Sequence, residues 1–197
     1  LRAAGYNEVR LAEVYNTYWK PLEQGWWRNP KNVGLGSDIL ERYTYNWLTM
    51  TIGKFVASNN LYTAYRAYVA SCGDTFNPVE FLKDFHHDAM MYRAAAEGDT
   101  AMVGESLQRF WDTTINGLRQ GGTATTMFLW AVRETAKGEV PEDQIRKVLL
   151  CTESWFYRRR ICGMSTAVWN KIVGNIFTGL RNTSIVPVTE YGDAVER

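Results

Sequence analysis

Apolar residues recur along this chain at steps of three and four, the period of a helix with one buried face. Tyr15, Tyr18, Trp19 and Leu22 mark a first helix over about 7–24, which Pro21 is expected to kink or end. Residues 25–36, with Asn29, Pro30, Asn32 and Gly34, read as a loop that Trp26 and Trp27 pack down. Ser37 or Asp38 caps a second helix to about 55, with Ile39, Tyr43, Trp47, Met50 and Ile52 on its apolar face. A third runs from Leu61 to Ser71 and closes at Gly73. Asn77-Pro78-Val79-Glu80 is the sharpest signal: an N-cap, a proline in the first turn and an acid at the third position. That fourth helix should end at Gly98.

A fifth helix is expected from Thr100 to the Gly121-Gly122 break, carrying Met102, Val103, Leu107, Phe110, Trp111 and Ile115. A sixth covers about 124–137 and stops at Gly138. Pro141, Glu142 and Asp143 open the seventh; Arg158, Arg159 and Arg160 near its end complement the opposite pole of the helix dipole. Ser165 caps an eighth helix that runs through Trp169, Ile172, Val173, Ile176 and Phe177 to Asn182. Ser184-Ile185-Val186-Pro187-Val188 is short and broken by proline, so it reads as an edge segment or tail. The expectation is an all-α bundle of about eight helices, with 1–183 a helical domain and 184–197 an extended tail or linker.

Composition narrows the class. The chain has 197 residues, 46% of them hydrophobic and 14% aromatic, enough to bury a core and too apolar for disorder. No apolar run approaches the ~20 residues of a membrane span, and the first residues do not resemble a signal peptide. The first residue is Leu rather than Met, so a piece of a longer protein is expected. Cys72, Cys151 and Cys162 are too few and too scattered for a disulfide framework or a metal motif, which suits buried free thiols and a cytoplasmic setting.

The net charge of +1 hides an asymmetry. Residues 74–112 hold eight acids and three bases, whereas 141–181 hold seven bases and three acids. The two segments either complement each other, or the basic one faces phosphate or an acidic partner.

Catalytic signals are weak. His86 and His87 are adjacent, so they diverge by ~100° on a helix and cannot both meet one metal; scattered surface polarity explains them and Asp88. No Ser lies in a G-x-S-x-G elbow, and Gly34-Leu35-Gly36 lacks the rest of a phosphate loop. Cys162 is near arginines but also at a helix C-terminus, where the dipole opposes a low thiol pKa. No catalytic, cofactor-binding or metal residue is expected in this segment. Arg158-Arg159-Arg160 asks for more. Three successive helical positions cover over half the circumference, so at least one should face a neighbouring helix and need a partner there. Glu153 is poorly placed; a cross-helix carboxylate or helix-terminal carbonyls fit better.

Glu153-Ser154-Trp155-Phe156-Tyr157-Arg158-Arg159-Arg160-Ile161-Cys162-Gly163, followed by Thr166 and Trp169-Asn170-Lys171, resembles a signature of the GmrSD-type restriction endonucleases. Two further blocks are similar in the same order: Tyr18-Trp19-Lys20-Pro21-Leu22-Glu23, and Leu61-Tyr62 with Tyr65-Arg66 and Tyr68. The resemblance is to the helical region between a ParB-like NTPase domain and an HNH nuclease domain. It implies a connector in a bacterial, nucleotide-dependent, DNA-cleaving defence protein, with those two domains as partners in the same chain. The NTPase and HNH motifs are absent from these residues, so no catalytic role carries over. The residues that would meet DNA or a neighbouring domain are Arg158, Arg159, Arg160, Asn170 and Lys171. The alternatives are a free-standing helical domain that binds a protein partner through Trp26, Trp27 and Tyr157, and a small-ligand binder with an aromatic pocket between helices.

Overall fold

The helices pack around a pair that is buried along most of its length. In the computed structural model, which describes residues 8–28, 39–119 and 124–182, α2 (Ile39–Ile52) lies against α7 (Thr125–Lys137). Every residue from Thr125 to Val132 is buried, as is most of α2. Helices buried on most sides belong at the centre of a bundle. The other elements surround this pair: α1 (Glu8–Val14), α3 (Leu61–Cys72), α4 (Pro78–Glu97), α5 (Thr100–Val103), α6 (Glu105–Phe110), α8 (Glu142–Ile161) and α9 (Trp169–Asn182). The protein is an all-α bundle, and no strand occurs among the described residues. Among the described residues no helix is long and apolar enough to cross a membrane.

Aromatic rings tie the layers together. Tyr43 of α2, Phe85 and Tyr92 of α4, Trp27, and Trp111 beyond α6 form a continuous chain of edge-on and stacked contacts, with centroids 4.8–6.0 Å apart. Each such pair adds about 0.5–1.5 kcal/mol beyond the area it buries. Trp27 is buried and Trp26 half-buried, so this tryptophan pair does pack its segment down. Both lie in a short 3-10 turn, Gly25–Arg28; the remainder of the expected loop, the Ser37/Asp38 cap, the Gly121-Gly122 break and the 184–197 tail lie outside the described residues.

Local signals set the clearest boundaries. Asn77 Oδ1 accepts from the N–H groups of Val79 and Glu80, and Gly98 ends α4 at φ 78°. Gly138 and Gly163 likewise turn left-handed after α7 and α8. Three expectations need correction. The first helix is not uniform: α1 widens into a π-helical turn over Tyr15–Trp19 and then tightens to 3-10 over Lys20–Glu23. Pro21 has no N–H to extend the ladder, and the N–H of Lys20 reaches back to the Tyr15 carbonyl. The second helix stops at Ile52, because Gly53 takes φ 75°. The fifth is divided. Gly104, at φ 86° and ψ 153°, separates α5 from α6, and Trp111–Gly117 is π-helical.

Candidate functional site

The expected contact residues gather where α8 meets α9. Cys162 and Gly163 donate to the carbonyls of Arg158 and Arg160, and Met164 N–H donates to the Arg159 carbonyl at 2.8 Å. The Ser165 hydroxyl accepts from Ala167 N–H, and α9 begins at Trp169. Trp155, Phe156 and Trp169 pack in a triangle with centroids 4.9 Å apart, welding the two helices.

The three arginines divide their work. Arg159 Nε donates to the Ser165 carbonyl at 2.8 Å, and its guanidinium lies 4.9 Å from the Trp155 ring centre. It clamps the turn through the carbonyl of a turn residue, rather than the helix-terminal carbonyl or cross-helix carboxylate expected. Arg158 and Arg160 are exposed and Arg159 is half-buried, so none of the three is fully buried. Lys171 is exposed and Asn170 half-buried on the first turn of α9. Glu153 serves elsewhere: it is buried and accepts from Arg109 Nη2 of α6 at 3.3 Å. This ion pair joins the acid-rich and base-rich segments, but with the base from the first and the acid from the second.

Beside that pair a groove of about 430 Å³ runs between α6 and the start of α8, lined by Leu107, Val140, Ile145 and Arg146 among others. Its lining carries charges of both signs, from Glu105, Glu142 and Arg146.

The buried polar cluster was not anticipated. Asp88 is 2% exposed. Its Oδ2 accepts from Trp47 Nε1 at 2.8 Å and from Arg133 Nη2 at 2.9 Å. Arg133 also donates to Thr51 Oγ1 at 3.2 Å and stacks 4.8 Å over Trp47. The cluster pins α2, α4 and α7 together. His87 Nδ1 lies 3.2 Å from Asp88 Oδ1, and that hydrogen bond raises the His87 pKa against partial desolvation. His86 instead faces the Tyr18 carbonyl at 3.0 Å. The reading of His86, His87 and Asp88 as scattered surface polarity is therefore wrong for Asp88. The available signal was the helical stripe Phe81, Phe85, Asp88, Tyr92, in which Asp88 holds a core position.

The other two blocks are structural. Glu23 accepts from the Tyr15 hydroxyl at 2.6 Å and Trp19 Nε1 at 2.7 Å, which holds its pKa below the usual carboxylate value. Trp19 then stacks on Phe85, fastening the N-terminal segment to α4. α3 buries no residue, and touches the core through Tyr65 and Tyr68 against Phe81. The thiols differ from expectation: Cys72 and Cys151 are half-buried and Cys162 is exposed. Among the described residues no group of three or more His, Cys, Asp or Glu is placed to hold a metal ion. No protein-family model, curated protein or solved structure matches the chain.

Proposed function

We propose that this chain is a helical connector in a GmrSD-type, nucleotide-dependent DNA-cleaving defence protein. It holds a ParB-like NTPase domain and an HNH nuclease domain in a fixed relation. The observation that carries the reading is the α8–α9 weld. The block resembling the family signature forms this turn, with Arg159 spent on closing it and Arg158 and Arg160 directed outward. A connector must transmit position, so both of its ends need rigid attachment. The N-terminal segment is fastened to α4 through Trp19 and Phe85, and α9 to α8 through Trp155 and Trp169. Nucleotide and metal chemistry belong to the flanking domains in this reading.

The test is the sequence encoded on either side of these 197 residues. A ParB-like motif upstream and an HNH motif downstream are expected; absence of both overturns the proposal. Contact with the DNA backbone is a finer claim of the same reading. It predicts a mobility shift with duplex DNA that falls steeply with salt and weakens in Arg158→Ala.

A further inference from the structure

The groove between α6 and α8 extends past its main chamber. A second cavity of about 200 Å³ adjoins the one of about 430 Å³, and Glu105, Ser106 and Arg146 line both. Glu142, Ile145, Arg146, Leu149 and Glu153 fall on one helical face of α8, and all of them border the cleft. The floor is apolar: Val103, Leu107, Phe110, Ile145 and Leu149 are each at most 4% exposed. Gly104 and Gly138 leave part of the larger chamber's wall without side chains, and a Cβ on either would meet no atom within 4 Å. Over this floor stand charges of both signs. Arg109 and Glu153 pair with each other at the narrow end. Among the described residues Glu105, Glu142 and Arg146 make no ion pair, and the half-buried Ser106 hydroxyl makes no hydrogen bond. Spacing does not explain this. Asp143 and Lys147, four residues apart like Glu142 and Arg146, do pair, at 3.0 Å.

We infer that this cleft binds a small aliphatic α-amino acid. The larger chamber falls within the roughly 300–1,000 Å³ of small-ligand sites, which pair an apolar lining with a few polar groups. The ligand's branched side chain lies on Leu107 and Ile145. Its ammonium is shared by Glu105 and Glu142. Its carboxylate takes the Arg146 guanidinium, which is built to hold a carboxylate through two hydrogen bonds, together with the Ser106 hydroxyl. Charge complementarity selects this class. An aliphatic acid answers Arg146 but brings a third carboxylate beside Glu105 and Glu142. An aliphatic amine answers the two glutamates and leaves Arg146 unmet. A phosphate ester would face two acids for one base in the larger chamber. Only a molecule with both charges and an apolar end satisfies the whole lining. The inference does not rest on the connector reading.

The experiment titrates the 197-residue chain with leucine and two truncated analogues. One is 4-methylpentanoate, which lacks the ammonium; the other is 3-methylbutylamine, which lacks the carboxylate. Calorimetry reads affinity, and methyl NMR shifts of Leu107, Val140 and Ile145 read the site. The expected result is saturable binding of leucine with shifts at those methyls, and binding of each analogue weaker by about tenfold or more. Arg146→Gln should weaken leucine about tenfold or more and leave 3-methylbutylamine unchanged. The Glu105→Gln/Glu142→Gln pair should weaken leucine and the amine without weakening 4-methylpentanoate. The fold should survive, because all three positions are exposed; unchanged melting curves check this. Four results overturn the proposal: no saturable leucine binding, shifts confined to methyls outside the cleft, an analogue that binds as tightly as leucine, or variants that weaken all three ligands alike. None of them depends on the flanking gene sequence, so failure here is distinct from failure of the connector reading.

Discussion

Arg133 on α7 and Asp88 on α4 meet at 2.9 Å where α2, α4 and α7 converge, and Trp47 shares the same carboxylate oxygen. Asp88 is buried, so its charge is tolerable only with these partners in place. Asp88→Ala leaves Arg133 without its carboxylate and Trp47 N–H without an acceptor. Loss of one partner of a buried pair costs about 3–5 kcal/mol. Urea denaturation should show a loss of that order, and a smaller one for Asp88→Asn, which keeps an acceptor.

His87 makes this cluster pH-sensitive. Its pKa is raised above the ordinary 6.5 by the hydrogen bond to Asp88. A group with a raised native pKa contributes its stabilisation fully below the unfolded value and loses it as pH rises through the native one. Stability should therefore decline with rising pH from about 6.5 upward, through the raised native value. His87→Gln should flatten that slope while leaving the high-pH stability nearly unchanged. An identical slope in the variant would assign the effect elsewhere.

Gly104 occupies a backbone region that only glycine enters without strain, at φ 86° and ψ 153°. No atom lies near enough to hinder a Cβ there, so any penalty is conformational. Gly104→Ala should cost about 1–3 kcal/mol in thermal or chemical unfolding. A neutral substitution would mean that α5 and α6 fuse without penalty.

Gly174 tests the seat of α9 differently. A Cβ there would stand 3.3 Å from the backbone nitrogen of Phe55, tighter than ordinary van der Waals contact. Gly174→Val, with two further methyl groups, should lower the melting temperature. It should also increase the accessibility of Trp169 to an external quencher.

Elements specified within a few residues were legible in the sequence. The Asn77 cap with Pro78, and the stops at Gly98, Gly138 and Gly163, need only neighbouring atoms, and they fold as read. The Asp88 cluster was hidden because its partners are remote: Trp47 and Arg133 lie 41 and 45 residues away in the chain. Periodicity marks Asp88 as facing inward but cannot say what meets it. The two π-helical turns were missed because widening the ladder leaves the apolar spacing nearly unaltered. At the α8–α9 turn the sequence showed that three successive arginines cannot share one face. Which of them turns inward depended on Trp155, one turn back, and on the Ser165 carbonyl.

The central claim is that the α8–α9 end holds a neighbouring domain. A benzophenone side chain at position 161 of the complete gene product, with position 147 on exposed α8 as control, tests it directly. The account predicts a light-dependent cross-link from 161, but not 147, to another segment of the same gene product, mapped by proteolysis and mass spectrometry. Cross-linking only to DNA, only to a second copy, or equally from both positions would contradict it.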